Sequence, residues 1–83
     1  MKIIAKIKII KQISELIEKE QTGTSTEFAK RVNISRTSMY QLFEEIESMG
    51  VSIKYDKRKR SYYYDGSKKI RVVDPIQIVE TGN

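Results

Sequence analysis

Five of the six residues from Arg36 to Gln41 (Arg36, Thr37, Ser38, Tyr40 and Gln41) carry side chains that can hydrogen-bond to an external surface. Arg36 has the donor fork that fits a guanine edge bidentately, and Gln41 has the amide that fits an adenine edge. Thr37 and Tyr40 can add contacts to bases, while Ser35 and Ser38 suit phosphate oxygens. A second feature is the unbroken cationic run Lys57-Arg58-Lys59-Arg60. At a hairpin tip these four side chains can straddle phosphates or enter a minor groove. On its own, such a run can equally be a solubilising turn that blunts strand-edge pairing. Lys54 and Tyr63 lie on the flanking segments and extend the phosphate-contacting set. Thr24, Ser25 and Thr26 stand at the start of a helix, where free amides can take a phosphate and where hydroxyls also serve as caps.

Other chemistry has little to work with. The 83 residues include no histidine and no cysteine, so the commonest general base, thiolate metal ligation and disulfides are all missing. Glu44, Glu45 and Glu47 form an acidic cluster, but no glycine-rich phosphate loop or aspartate motif accompanies them. The expectation is a protein that is not an enzyme and uses no cofactor and no metal.

These side chains need a frame, and Ser25 to Gly50 supplies it. Phe28, Ala29 and Val32 mark the buried face of one short helix, with Glu27 favourable in its first turn. Asn33 tolerates the left-handed backbone that ends a helix, and Ser35 is a good N-cap for the next. Met39, Leu42, Phe43, Ile46 and Met49 form the apolar stripe of that second helix, which Gly50 stops. Two helices joined so tightly cross steeply, leaving the first turns of the second one proud of the body.

Upstream, Ile9, Ile10, Ile13, Leu16 and Ile17 share a helical face, and the pattern predicts a helix over about 4–20. Its start is ambiguous, because Ile3, Ala5, Ile7 and Ile9 also alternate as in a strand. Thr22-Gly23-Thr24 is a turn. After Gly50 the period becomes two, through Val51, Ile53 and Tyr55, and again at Tyr62 and Tyr64. A β-hairpin over 51–65 follows, with Tyr55, Tyr62 and Tyr64 packing inward and Tyr63 outward. Ile70, Val72 and Val73 predict a third strand within a tail over 68–83, which Pro75 interrupts. The whole is a single α+β domain over 1–83: three helices followed by a β-hairpin wing, with an extra C-terminal strand.

This order, with its basic hairpin, resembles the winged helix-turn-helix modules of bacterial regulators. The resemblance is to the N-terminal domains of DeoR-type and WYL-domain repressors, and most of all to small single-domain helix-turn-helix proteins of Bacteroides-like bacteria. It is carried by Thr22-Gly23-Thr24, Glu27-Phe28-Ala29, Asn33-Ile34-Ser35-Arg36, Met39-Tyr40 and Met49-Gly50. Ile53-Lys54-Tyr55-Asp56 and Tyr62-Tyr63-Tyr64 extend it into the wing, so that it covers roughly residues 7–66. Ala29 fits the family pattern, Asn33 stands where the pattern has glycine, and Arg36 is alone where many relatives carry two or more arginines. The resemblance implies sequence-specific binding of double-stranded DNA by a transcriptional regulator, with the recognition helix in the major groove and the wing on phosphates.

Charge agrees with such a partner. The formal net charge is +5, and it is unevenly distributed. Residues 1–50 hold eight Lys/Arg against seven Asp/Glu, whereas residues 51–83 hold eight against four. Clustered positive charge suits a polyanion. A module this small reads few base pairs, so useful specificity favours a homodimer on two half-sites. No small-molecule effector is evident, and lysines at 2, 6, 8 and 11 argue against a signal peptide. The expected location is cytoplasmic, associated with the nucleoid. The runner-up is a winged-helix protein–protein interaction module whose basic tip docks on an acidic patch. A membrane-surface role through the Lys/Ile-rich N-terminus ranks last, since those isoleucines have a use in the core.

Overall fold

A computed structural model describes residues 2–72 of the chain. Three helices come first: α1 (Ile3–Glu18), α2 (Ser25–Arg31) and α3 (Arg36–Ser48). Two strands follow, β1 (Ile53–Asp56) and β2 (Ser61–Tyr64), paired antiparallel with Ile53 opposite Tyr64 and Asp56 opposite Ser61. This is an α+β, winged-helix-like arrangement. Residues 73–83, where much of the expected C-terminal strand falls, lie outside the described residues.

Each helix ends where its sequence provides an exit. Thr24 and Glu27 form a reciprocal capping box at the head of α2, and the Ser35 hydroxyl accepts the Ser38 amide at the head of α3. Asn33 (φ 58°) closes α2: its amide donates to the Lys30 carbonyl and that of Ile34 to Ala29. Gly50 (φ 92°) closes α3. The end of α1 departs from expectation. Gly23 was the expected turn residue there, yet the left-handed position is taken by Glu20 (φ 52°), with Gln21 donating to the Leu16 carbonyl. Gly23 has its own positive φ of 71° three residues later, in the approach to α2.

The core lies between the three helices and one face of the hairpin. Ile13 and Ile17 of α1, Phe28, Ala29 and Val32 of α2, Met39, Leu42, Phe43 and Ile46 of α3, and Ile53 of β1 are buried. Tyr62 anchors the hairpin, its ring 5.3 Å from Phe43, 5.6 Å from Phe28 and 5.0 Å from Tyr55. Offset and edge-on aromatic pairs at such separations each add about 0.5–1.5 kcal/mol beyond burial. Tyr64 also packs on the core, as its alternation with Tyr63 predicts.

Two apolar assignments need correction. Met49 continues the helical spacing of α3 but is 68% exposed, because the position falls on the C-cap, past the end of the surface it would pack against. Ile3 and Ile4 also stand exposed, so the first turn of α1 overhangs the core instead of feeding it. Residues 68–72 carry no strand. They run beside α1, where the Ser14 hydroxyl donates to the Ile70 carbonyl and accepts from the Tyr64 hydroxyl.

The least anticipated element is polar. Thr22 and Ser61 are both buried, and their hydroxyls lie 3.1 Å apart. The Tyr62 amide donates to Thr22 Oγ1 at 2.8 Å, and the Thr22 amide to Ser61 Oγ at 3.2 Å. This latch fastens the α1–α2 turn to the root of the wing and leaves no buried side-chain polar atom without a partner among the described residues.

Candidate nucleic-acid interface

The exposed face of α3 begins at its first turn. Arg36, Thr37, Tyr40 and Gln41 are all exposed, whereas Met39, Leu42, Phe43 and Ile46 turn inward. The helix therefore presents the four expected base-reading residues on its outer side. Thr37 and Gln41 make no side-chain hydrogen bond among the described residues. Arg36 and Tyr40 are already associated: the guanidinium carbon lies 5.9 Å from the centre of the Tyr40 ring.

Tyr40 is both a surface and a junction residue. It is 41% exposed, and its ring meets Phe43 edge-on at 6.3 Å. Hydrogen bonding from Ser25, then from Arg36, lowers its pKa. Burial, reinforced by Tyr40, pushes the Tyr62 phenol up to about 12. Phe43 in turn meets Tyr62 of β2 at 5.3 Å, so an aromatic chain from Tyr40 through Phe43 links the outer face of α3 to the hairpin.

The hydroxyls expected on phosphates are largely occupied. Ser35 Oγ accepts the Ser38 amide at 3.0 Å and donates to Ser38 Oγ at 2.9 Å. Thr24 Oγ1 accepts the Glu27 amide and donates to Glu27 Oε1. Thr26 is exposed and Ser25 half-buried. Capping is the visible role of Thr24 and Ser35.

The wing loop is firmly shaped. Asp56 Oδ1 accepts the amides of Arg58 at 2.8 Å and Lys59 at 3.2 Å, an Asx-type turn that holds residues 57–60 in a reverse loop. Arg60 completes it with a left-handed backbone (φ 52°). The four cations then divide. Lys57 and Arg58 are exposed and form no ion pair among the described residues. Lys59 pairs with Glu20 at 3.2 Å, and Arg60 with Glu27 at 3.5 Å. Lys54, across the strand from Tyr63, pairs with Asp65 at 3.0 Å, and that carboxylate raises its pKa.

Sequence reasoning gave no role on the wing to Glu20 and Glu27, because each pair spans more than thirty residues of chain. Glu45 on the same helix is bound to Lys6 of α1 at 2.8 Å. Among the described residues no cluster of His, Cys, Asp or Glu could hold a metal ion, and no helix is long and apolar enough to cross a membrane.

No protein-family model matches this chain, and neither a curated protein nor a solved structure matches it.

Proposed function

We propose that this chain binds double-stranded DNA as the reading module of a transcriptional regulator. In this reading α3 enters the major groove, and the wing loop clamps adjacent phosphates. The observation that carries it is the Tyr40 junction. The Tyr40 ring meets Phe43 and Phe43 meets Tyr62 of β2, which sets the polar face of α3, with Arg36, Thr37 and Gln41, beside a hairpin whose tip exposes Lys57 and Arg58, neither of them in an ion pair among the described residues. Arg36 and Gln41 supply base discrimination, each bidentate contact worth about 1–3 kcal/mol. Lys57 and Arg58 supply the salt-sensitive hold, which is the same for every sequence. A homodimer on two half-sites would extend the few base pairs that one module spans.

Fluorescence titrations against random duplex, single-stranded DNA and anionic liposomes, at several salt concentrations, test this. Duplex affinity is expected to fall steeply with salt, with a slope reduced by about two in Lys57→Ala/Arg58→Ala. Absence of duplex binding at low salt would sink the proposal.

One observation favours a protein partner instead. Lys54, Lys59 and Arg60 are engaged internally, and the far end of α3 exposes Met49. In that reading the titrations show no duplex binding at any salt concentration.

A further inference from the structure

Glu20 and Glu27 sit on different elements, yet both carboxylates reach the wing loop. Glu20 follows α1 and takes Lys59; Glu27 lies in the first turn of α2 and takes Arg60. Together with Gln21, Gly23 and Arg31 these four residues line an open depression of about 440 Å3. Neither glutamate is the plainest choice for its local role. Position 20 has a left-handed backbone, where glycine or asparagine is less strained. At position 27 a glutamine would complete the capping box equally well. What each carboxylate adds is an anionic oxygen for a wing cation, the chemistry that a phosphate offers.

We infer that Glu20 and Glu27 act as internal substitutes for phosphate that set how strongly the wing grips a duplex. The inference rests on the duplex-binding reading above. A DNA phosphate that takes Lys59 or Arg60 must either displace the carboxylate or share the cation with it, and in both cases the carboxylate remains nearby as a like charge. Both pairs are solvent-exposed, so displacement is easy and the wing stays able to bind. The penalty falls on every sequence alike, because wing contacts carry no base information. Ratios between sequences are unchanged, but absolute affinity drops. A duplex that α3 does not read is then left empty at concentrations that fill one it does read.

The test compares the full chain with Glu20→Gln/Glu27→Gln on a random-sequence duplex two helical turns long, across a salt series. The variant is expected to bind roughly tenfold tighter at low salt, with a log–log salt slope steeper by about one to two. The same pair of changes on a Lys59→Met/Arg60→Met background is expected to give little gain, which isolates the pairs from a general loss of negative charge. In the protein without DNA, NMR titration of Glu27 is expected to show its lowered pKa rising in Arg60→Met. Duplex binding without tightening in the Gln variant overturns the inference alone, as does an undiminished gain on the Met background. Failure of both proteins to bind duplex overturns the duplex-binding reading and the inference with it.

Discussion

Replacing Thr22 by valine keeps the shape of the side chain and deletes one hydroxyl. That hydroxyl accepts the Tyr62 amide at 2.8 Å, faces Ser61 Oγ at 3.1 Å and donates to the Gly23 carbonyl at 2.9 Å. Ser61 Oγ retains other partners, the Thr22 amide and the Tyr62 carbonyl. The Tyr62 amide does not: it is left at a part-buried position beside a methyl group. An orphaned buried donor costs about 1–3 kcal/mol, and the lost hydroxyl bonds bring the expected destabilisation to about 2–3 kcal/mol. A domain of this length has roughly 4–12 kcal/mol in total, so Tm should fall by about 10–20 °C. Urea denaturation followed by circular dichroism should show a lower midpoint with an unchanged m-value, while Thr22→Ser retains most of the stability. A Thr22→Val protein within about 0.5 kcal/mol of the parent would refute the idea that this latch fastens the wing.

Other consequences follow from the same corner of the molecule. Gly23→Ala places a methyl group on a φ of 71° and brings it 3.0 Å from Glu27 Cβ, so it should cost about 1–2 kcal/mol in the same urea assay. Acid titration addresses Glu27, whose pKa is lowered below 4.5 by the Thr24 amide first, then by the Thr24 hydroxyl and the charges of Arg60 and Arg31. A carboxyl with a depressed folded pKa stabilises fully above its unfolded value and loses that contribution as pH falls through the folded value. Stability should therefore decline below pH 4.5, and Glu27→Gln should flatten that part of the curve.

Features that short-range physics determines were legible in the sequence. Ser35, Asn33, Gly50 and the hydroxyls of 24–26, with Glu27 in the first turn, act on backbone groups within a turn of themselves, so their types and spacing located α2 and α3 closely. The choice of Thr24 as the cap came from the structure. The hairpin followed from alternation around a polar loop, and the inward faces of Tyr62 and Tyr64 with it. Features set by distant partners were not legible. Thr22 read as a turn residue because nothing near it in sequence identifies Ser61, thirty-nine positions away, as its partner. The basic run divides into Lys57 and Arg58, in no ion pair among the described residues, and Lys59 and Arg60, bound by Glu20 and Glu27, which reach them only once the chain is folded. Met49 misled for a related reason. Helical spacing says which side a residue faces, but not whether any neighbour extends far enough to cover it.

In the proposed complex, duplex DNA lies across the outer face of α3 and the tip of the wing. Backbone amide NMR of the labelled protein, titrated with a short random-sequence duplex at low salt, tests it most directly. Shifts concentrated at Ser35 to Gln41 and at Lys57 to Arg60, shrinking as salt is raised, are the predicted result. Shifts confined to the exposed start of α1 and the Met49 end of α3, or no shifts at all, would contradict it.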